Sequence, residues 1–178
     1  MPAPQTAPWW EVVHGDPCRE CGTPWVVPFE RALDDVRAVP DRLALLVADT
    51  PTDARCPDLA WPAVEYAVHV ADSLRTWSER LGGALAGDAA CASGADLAAL
   101  VQVRRYDSYG WGAALWSVRR SAQEWCDVVR EAHRRGVVVR HPQRGPLTAE
   151  DVALRVRHSA LHHLWDVSRT VAVTASTC

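Results

Sequence analysis

Apolar residues recur at the 3.6-residue period of amphipathic helices in four stretches of this 178-residue chain. These stretches run from Phe29 to about Ala48, from Trp61-Pro62 to Gly82-Gly83, from about Ala113 to Arg134, and from Thr148 to about Val171. Long connections separate them, and a strand signal is almost confined to Val137-Val138-Val139. We therefore predict an all-α fold, a four-helix bundle with crossover connections.

Several residues mark the predicted helix ends. Pro62 stands in a first turn, where its missing N–H costs nothing, and Gly82-Gly83 is a natural stop. Thr148 lies three residues before Asp151 and makes a workable N-cap. Pro40 predicts a break or kink in the first helix, and residues 136–147 a basic loop rich in Gly and Pro.

The chain divides into three predicted parts. Residues 1–28 hold six prolines and three tryptophans, which indicates an irregular arm lying against the body. Residues 29–172 form the predicted metal-binding bundle, and residues 173–178 a C-terminal tail.

Composition limits the partners. With 48% apolar residues, 23% charged residues and a formal net charge of -3, the chain is an ordinary globular one, without general attraction to nucleic acid or an anionic membrane. No apolar run reaches the ~18 residues that span a bilayer, and the first residues do not resemble a signal peptide. We expect a cytoplasmic protein, monomer or homodimer, with a small-molecule substrate. All basic residues are Arg, and Lys, Asn and Ile are missing, which is typical of a high-GC bacterial coding bias.

The histidines indicate a metal site. His158 and His162 stand at i and i+4 of the last predicted helix, so both imidazoles project from one side. A catalytic Zn²⁺ takes three protein ligands, and His69, in the middle of the second helix, is the natural third. All three lie at the margin of their apolar stripes, which equally suits half-exposed structural histidines.

Two segments resemble a known superfamily. They are Trp61-Pro-Ala-Val-Glu-Tyr-Ala-Val-His69-Val-Ala-Asp72, and Gly145-Pro-Leu-Thr-Ala-Glu-Asp151 leading into His158-Ser-Ala-Leu-His162-His163-Leu-Trp-Asp166-Val. In these motifs, and in Cys18-Arg-Glu-Cys21-Gly22 before the first helix, the chain is similar to the actinobacterial branch of the DinB/YfiT-like superfamily. The resemblance implies a four-helix bundle with a divalent metal, usually Zn²⁺ or Ni²⁺, bound by His69, His158 and His162.

The same resemblance implies a chemistry. The superfamily includes thiol S-transferases and the mycothiol-dependent maleylpyruvate isomerase, in which the metal activates a low-molecular-weight thiol. We therefore expect a metal-dependent thiol S-transferase that uses a thiol such as mycothiol. The alternatives are a metal-dependent hydrolase, isomerase or cyclase of secondary metabolism without a thiol, and a non-enzymatic metal- or redox-responsive module. Residues 83–144 match the family only loosely, and substrate specificity is expected there.

Further polar residues surround the predicted ligands. Glu65 and Asp72 lie one turn to either side of His69, where each could orient a ligand or act as general base; a surface role is as common for such acids. Asp166 stands in the same relation to His162 and His163, or forms a surface pair with Arg169. His163 faces another side of the helix and is expected to be packed or to support a ligand. Trp61 and Tyr106 are candidates for the wall of a pocket, although Tyr106 also suits a plain turn.

Cys18 and Cys21 form a separate candidate site. Such a knuckle supplies two ligands for structural Zn²⁺, and His14 could add a third, with Cys56, His163 or another distant residue as the fourth. A redox dithiol and a turn stabilised through Gly22 are the alternatives.

Overall fold

The computed structural model describes residues 13–87, 97–142 and 144–176. The first twelve residues of the predicted arm, Cys91 and Cys178 lie outside these ranges. The helices are α1 (Phe29–Leu46), α2 (Ala63–Leu85), α3 (Leu97–Val103), α4 (Trp111–Arg134) and α5 (Ala149–Ser176), with a 3₁₀ turn at Tyr106–Ser108. Two short strands, β1 (Val138–His141) and β2 (Gly145–Thr148), precede α5.

The predicted all-α four-helix bundle is confirmed. α1 and α2 each pack against both α4 and α5, so α1 and α2 stand diagonally across the bundle. The consecutive helices α1 and α2 are therefore not neighbours, so the connection between them crosses the bundle, whereas α2 and α4 pack directly against each other. The core lies along the bundle axis and includes the fully buried side chains of Leu33, Leu74, Val118, Trp125 and Val152.

The helix ends follow local sequence signals. Pro62 is the N-cap residue of α2. At the start of α5 the Thr148 hydroxyl accepts a hydrogen bond from the Asp151 N–H at 3.1 Å, while the Asp151 carboxylate accepts one from the Thr148 N–H at 2.8 Å. α1 continues through Pro40, and α5 continues past Val171 to Ser176.

The predicted loop over residues 136–147 is partly a β-hairpin. β1 and β2 pair antiparallel, with Val139 opposite Leu147 and both side chains buried. Because only four residues of each strand pair, the alternation is too short to stand out in the sequence. The hairpin sits directly before α5 and fixes the start of the helix that bears His158 and His162.

The described part of the N-terminal segment, residues 13–28, lies against the bundle. Trp25 and Cys18 are buried in this segment, although it contains little regular structure. Arg157 of α5 holds it by donating to the Pro24 carbonyl at 2.6 Å. No described helix combines the length and apolarity needed to cross a membrane.

Candidate metal centre

Two cysteines and two histidines converge where the N-terminal segment crosses α5. Each of Cys18, Cys21, His158 and His162 offers one ligand atom, and all four atoms lie within 4.8 Å of one another. Cys18 Sγ is 4.0 Å from His162 Nδ1, and Cys21 Sγ is 3.7 Å from His158 Nε2. We call this group the Cys₂His₂ cluster.

A tight turn brings the two thiols together. The Gly22 N–H donates to the Cys18 carbonyl at 2.9 Å, and the Cys18 N–H donates to the Thr23 carbonyl at 3.0 Å. Gly22 has a φ of +68°, a conformation that glycine adopts without the strain a side chain would bring. The Cys-x-x-Cys-Gly sequence therefore forms a knuckle that presents both sulfurs to α5.

The imidazoles come from successive turns of α5. The His158 ring stacks on the Trp25 indole, with 3.7 Å between ring centroids and an angle of 20° between the planes. The neighbouring Arg157 guanidinium also donates to Asp35 of α1 at 2.6 Å. The N-terminal segment, α1 and α5 are thus tied together beside the cluster.

The titration behaviour favours neutral imidazoles. Burial and, to a smaller extent, the neighbouring His162 together lower the pKa of His158 to about 3. Burial also lowers the pKa of His162. A neutral imidazole keeps the lone pair that binds a metal ion. Burial raises the pKa of the Cys21 thiol, so a cation would be needed to stabilise its thiolate.

The donor set fits a tetrahedral metal ion. Zn–S bonds of about 2.3 Å and Zn–N bonds of about 2.0 Å would place the four ligand atoms about 3.3–3.8 Å apart. The two measured sulfur–nitrogen distances, 3.7 and 4.0 Å, are close to that range. Cys-x₂-Cys and His-x₃-His are also spacings found in structural Zn²⁺ sites.

Carboxylates surround the histidines. Glu20 Oε2 lies 3.3 Å from His162 Nε2, the ring nitrogen that faces away from Cys18. Asp166 Oδ2 lies 4.0 Å from the same nitrogen and 3.0 Å from His163 Nδ1. Metal-binding histidines usually donate their second ring N–H to such a partner, which fixes the ring.

His69, predicted as the third metal ligand, is not among the residues that converge with His158 and His162 in the described chain. Its ring meets that of His163 edge-on at 5.0 Å between centroids, and the Trp61 ring lies at the same distance. Burial lowers the pKa of His69 to about 4. Its Nδ1 is buried and makes no hydrogen bond within the described residues.

The two predicted general bases face other groups. The buried Asp72 carboxylate accepts hydrogen bonds from the Tyr106 hydroxyl at 2.6 Å, from Arg75 at 2.7 Å and from Arg104. Burial raises the pKa of Glu65, and the charges acting on it are Arg55 and Asp107. Neither acid contacts the Cys₂His₂ cluster through a hydrogen bond or ion pair among the described side chains.

A cavity of about 360 Å³ opens beside the cluster. Its lining includes His158, His162 and His163 together with Trp25 and Trp77. We call it the histidine-lined cavity. A second hollow of about 660 Å³ is also lined by His162 and His163 and includes Trp61 and Asp166. Tyr106 is fully buried and borders neither space.

Sequence reasoning found all four members of the cluster but assigned them to two different sites. The missed signal was the combination of a Cys-x₂-Cys knuckle with a His-x₃-His pair, which together make one complete ligand set. Arg144 and Arg155, which line the histidine-lined cavity, were not singled out, because an arginine in a loop or on a helix has no distinguishing pattern.

Comparison with known proteins supports the fold. No protein-family model matches the sequence, and a search of curated proteins finds no match. Among solved structures the chain is similar to YfiT from Bacillus subtilis, described as a probable metal-dependent hydrolase with an unusual four-helix bundle topology. The TM-score is 0.66 at 19% identity, over 79% of this chain and 86% of YfiT. The chain therefore has the DinB/YfiT-like four-helix-bundle fold.

Proposed function

We propose that this protein binds one Zn²⁺ ion through Cys18, Cys21, His158 and His162. The observation that supports the proposal is the convergence of two thiols and two imidazoles, with all ligand atoms within 4.8 Å. Thiolate and imidazole ligands in a tetrahedral arrangement favour Zn²⁺ over the harder Mg²⁺ and Ca²⁺.

The bound ion would act mainly on stability. Four protein ligands complete a tetrahedral shell, and closed shells of this kind are typical of structural zinc sites. The ion supplies a cross-link between the N-terminal segment and α5, with no position left for water or a substrate thiol. Stacking on Trp25 orients the His158 ring, and the hydrogen bond from Arg157 holds the N-terminal segment in place.

A small-molecule enzyme is the second candidate function. The histidine-lined cavity favours it, because about 360 Å³ beside His158 and His162 falls in the size range of ligand pockets. A thiol S-transferase using mycothiol would need His69 as third ligand and an open position at the metal. The description of YfiT as a probable metal-dependent hydrolase supports hydrolysis as the other chemistry of such a cavity.

Metal analysis of ligand variants distinguishes the two ligand sets. Tag-free protein, purified without chelator and loaded with Zn²⁺, is compared with the variants Cys18→Ser/Cys21→Ser, His158→Ala and His69→Ala. We expect about one equivalent of zinc in the parent and in His69→Ala, and less than about a tenth of an equivalent in the other two. His133→Ala, on an exposed histidine stacked on Phe29, is the matched control.

The opposite pattern would contradict the proposal. If the double cysteine variant retains its zinc while His69→Ala loses it, the ligands are the three histidines, and thiol activation at an open position becomes the better account. Circular dichroism of each variant separates loss of the metal from loss of the helices.

A further inference from the structure

We propose that Cys18 and Cys21 form an oxidative modification site, in which hydrogen peroxide joins the two sulfurs in a disulfide and thereby releases the bound metal ion. The inference rests on the proposed function, because it concerns the same Cys₂His₂ cluster with zinc bound. It adds the class of reactant, a peroxide, and a means by which metal binding is regulated.

The two thiols are placed to react with each other. Both cysteines are free, their sulfur atoms lie within 4.8 Å of each other, and only Arg19 and Glu20 separate them in the sequence. The turn closed by the Gly22 N–H on the Cys18 carbonyl keeps the two residues close. A disulfide needs about 2.0 Å between its sulfurs. The bond is therefore within reach of rotation about the side-chain bonds.

The two thiols differ in their access to solvent. Cys18 is only 2% exposed, whereas Cys21 is half-buried and lines a hollow of about 470 Å³ between the N-terminal segment, α1 and α5. A molecule as small as hydrogen peroxide can enter this hollow and reach Cys21. Cys21 is therefore the first thiol to react, and Cys18 is the second.

The reaction has two steps. In the first, the Cys21 thiolate attacks one oxygen of the peroxide, the O–O bond breaks and hydroxide leaves, so that Cys21 becomes a sulfenic acid. In the second, the Cys18 thiolate attacks the Cys21 sulfur, the S–O bond breaks and a second hydroxide leaves. Two protons from the solvent convert the hydroxides to water. The sulfurs together lose two electrons and the peroxide gains them, while Zn²⁺ keeps its charge.

Disulfide formation removes half of the ligands of the metal ion. The thiolate is the form of cysteine that binds a metal, so only His158 and His162 remain, whereas a structural zinc site uses four protein ligands. Neither cysteine belongs to the hydrophobic core of the bundle. The modification therefore releases the ion while the helices stay folded.

The other cysteines in the described part of the chain are less accessible. Cys56 and Cys126 are both buried, and the Cys126 thiol donates to the Leu33 carbonyl at 3.6 Å. Peroxide should therefore oxidise Cys21 before either of them.

Zinc release and disulfide mapping in the zinc-loaded full chain test the inference. Hydrogen peroxide is added in steps, and a chromogenic chelator measures the released ion. Trypsin then cleaves the denatured, alkylated protein after Arg19, so that a disulfide between Cys18 and Cys21 joins two peptides in the mass spectrum. We expect about one zinc ion released per disulfide, with unchanged helix content by circular dichroism. Reduction with dithiothreitol should restore zinc binding.

Two variants separate disulfide formation from other damage. In Cys21→His an imidazole replaces one thiolate, so a tetrahedral shell can still form but a disulfide within the knuckle cannot. The zinc-loaded variant should release its ion at least about tenfold more slowly than the parent. Cys91→Ser/Cys178→Ser, which changes only cysteines outside the described ranges, is the matched control and should match the parent. If Cys21→His binds no zinc, the disulfide map of the parent decides.

The inference is overturned if the loaded parent keeps its zinc under peroxide. Zinc release with a sulfinic acid at Cys21 and no disulfide would also overturn it, as would equally fast release in Cys21→His. The zinc content before peroxide is added tests the proposed function separately. A reduced parent without zinc rejects that function and the metal release with it, whereas a loaded parent that resists peroxide rejects the oxidative modification alone.

Discussion

Asp72, predicted to orient a metal-binding histidine or to act as a general base, is held by hydrogen bonds from other elements of the fold. Its carboxylate is 2% exposed and accepts hydrogen bonds from Tyr106, Arg75 and Arg104. Burial raises the pKa of the Tyr106 phenol, and its hydrogen bond to Asp72 adds to the effect. These hydrogen bonds join the middle of α2 to the 3₁₀ turn before α4. We interpret them as the contacts that hold the long α2–α4 connection against the bundle.

Removing the Tyr106 hydroxyl should weaken this fastening. Tyr106→Phe keeps the buried ring and leaves Asp72 with one donor fewer, so we expect the free energy of unfolding to fall by about 1–2 kcal/mol. Urea denaturation measures the change. Tyr109→Phe, on a partly buried neighbour, is the control, and an equal loss in both variants would argue against the interpretation.

The candidate ligands could be predicted from the sequence one by one, but not as a group. His158 and His162 follow from helical spacing, and Cys18 and Cys21 from the knuckle motif. Their convergence depends on how the N-terminal segment crosses α5, and no local pattern encodes that crossing. The resemblance to a superfamily led instead to His69, which stays a prediction for the metal variants to test.

At the scale of elements, the N-terminal segment is fixed to the bundle by contacts of different kinds. Trp25 stacks on His158, and Arg157 binds both the Pro24 carbonyl and Asp35. Arg157 is only 4% exposed, so its charge depends on these partners. Segment, α1 and α5 therefore form one packed unit around the cluster.

Loss of the Arg157 charge should destabilise this unit. In Arg157→Gln the partly buried Asp35 keeps, among the described residues, only Arg31 as an ion-pair partner, and we expect a loss of about 1–3 kcal/mol in the free energy of unfolding. Arg130→Gln removes an exposed pair with Glu30 and should cost less than about 1 kcal/mol. Chemical denaturation measures the free energy of unfolding of both variants. Equal losses in the two would contradict the claim that Arg157 stabilises the packing of the N-terminal segment, α1 and α5.

Metal removal should release the segment while leaving the helices in place. Arg19 is exposed within the knuckle, so trypsin can cleave there once the segment detaches. We expect faster cleavage after Arg19 in chelator-treated, desalted protein than in zinc-loaded protein. Mass spectrometry follows the cleavage, with cleavage after Arg134, at the far end of α4, as internal reference. The same rate at Arg19 in both samples would mean that the metal does not hold the segment.

The helices could be predicted because their signals are local. Each signal acts within a few residues: the period of the apolar residues, Pro62 at a helix start, and the cap formed by Thr148 and Asp151. The four long helices therefore lie close to their predicted positions. The hairpin was missed because its strands are short and its partners, such as Val139 and Leu147, identify each other only through pairing. Pro40 was expected to break or kink α1, and the structure shows no break, since the helix continues through it.

At the scale of the whole molecule, the Cys₂His₂ cluster brings the N-terminal segment together with α5, the last helix of the described chain. Cys18 and His162 are separated by 144 positions in the sequence, and Cys21 and His158 by 137 positions. A cross-link over such a loop restricts the unfolded chain far more than the folded one. α5 packs against both α1 and α2, which stand diagonally across the bundle. The N-terminal segment contacts the part of α5 that bears His158.

X-ray absorption at the zinc edge of the loaded protein tests this account most directly, since it counts the sulfur and nitrogen atoms bound to the ion. We predict about two sulfur neighbours at about 2.3 Å and two nitrogen neighbours at about 2.0 Å. A first shell of nitrogen and oxygen alone would contradict the account, because Cys18 and Cys21 would then not be ligands.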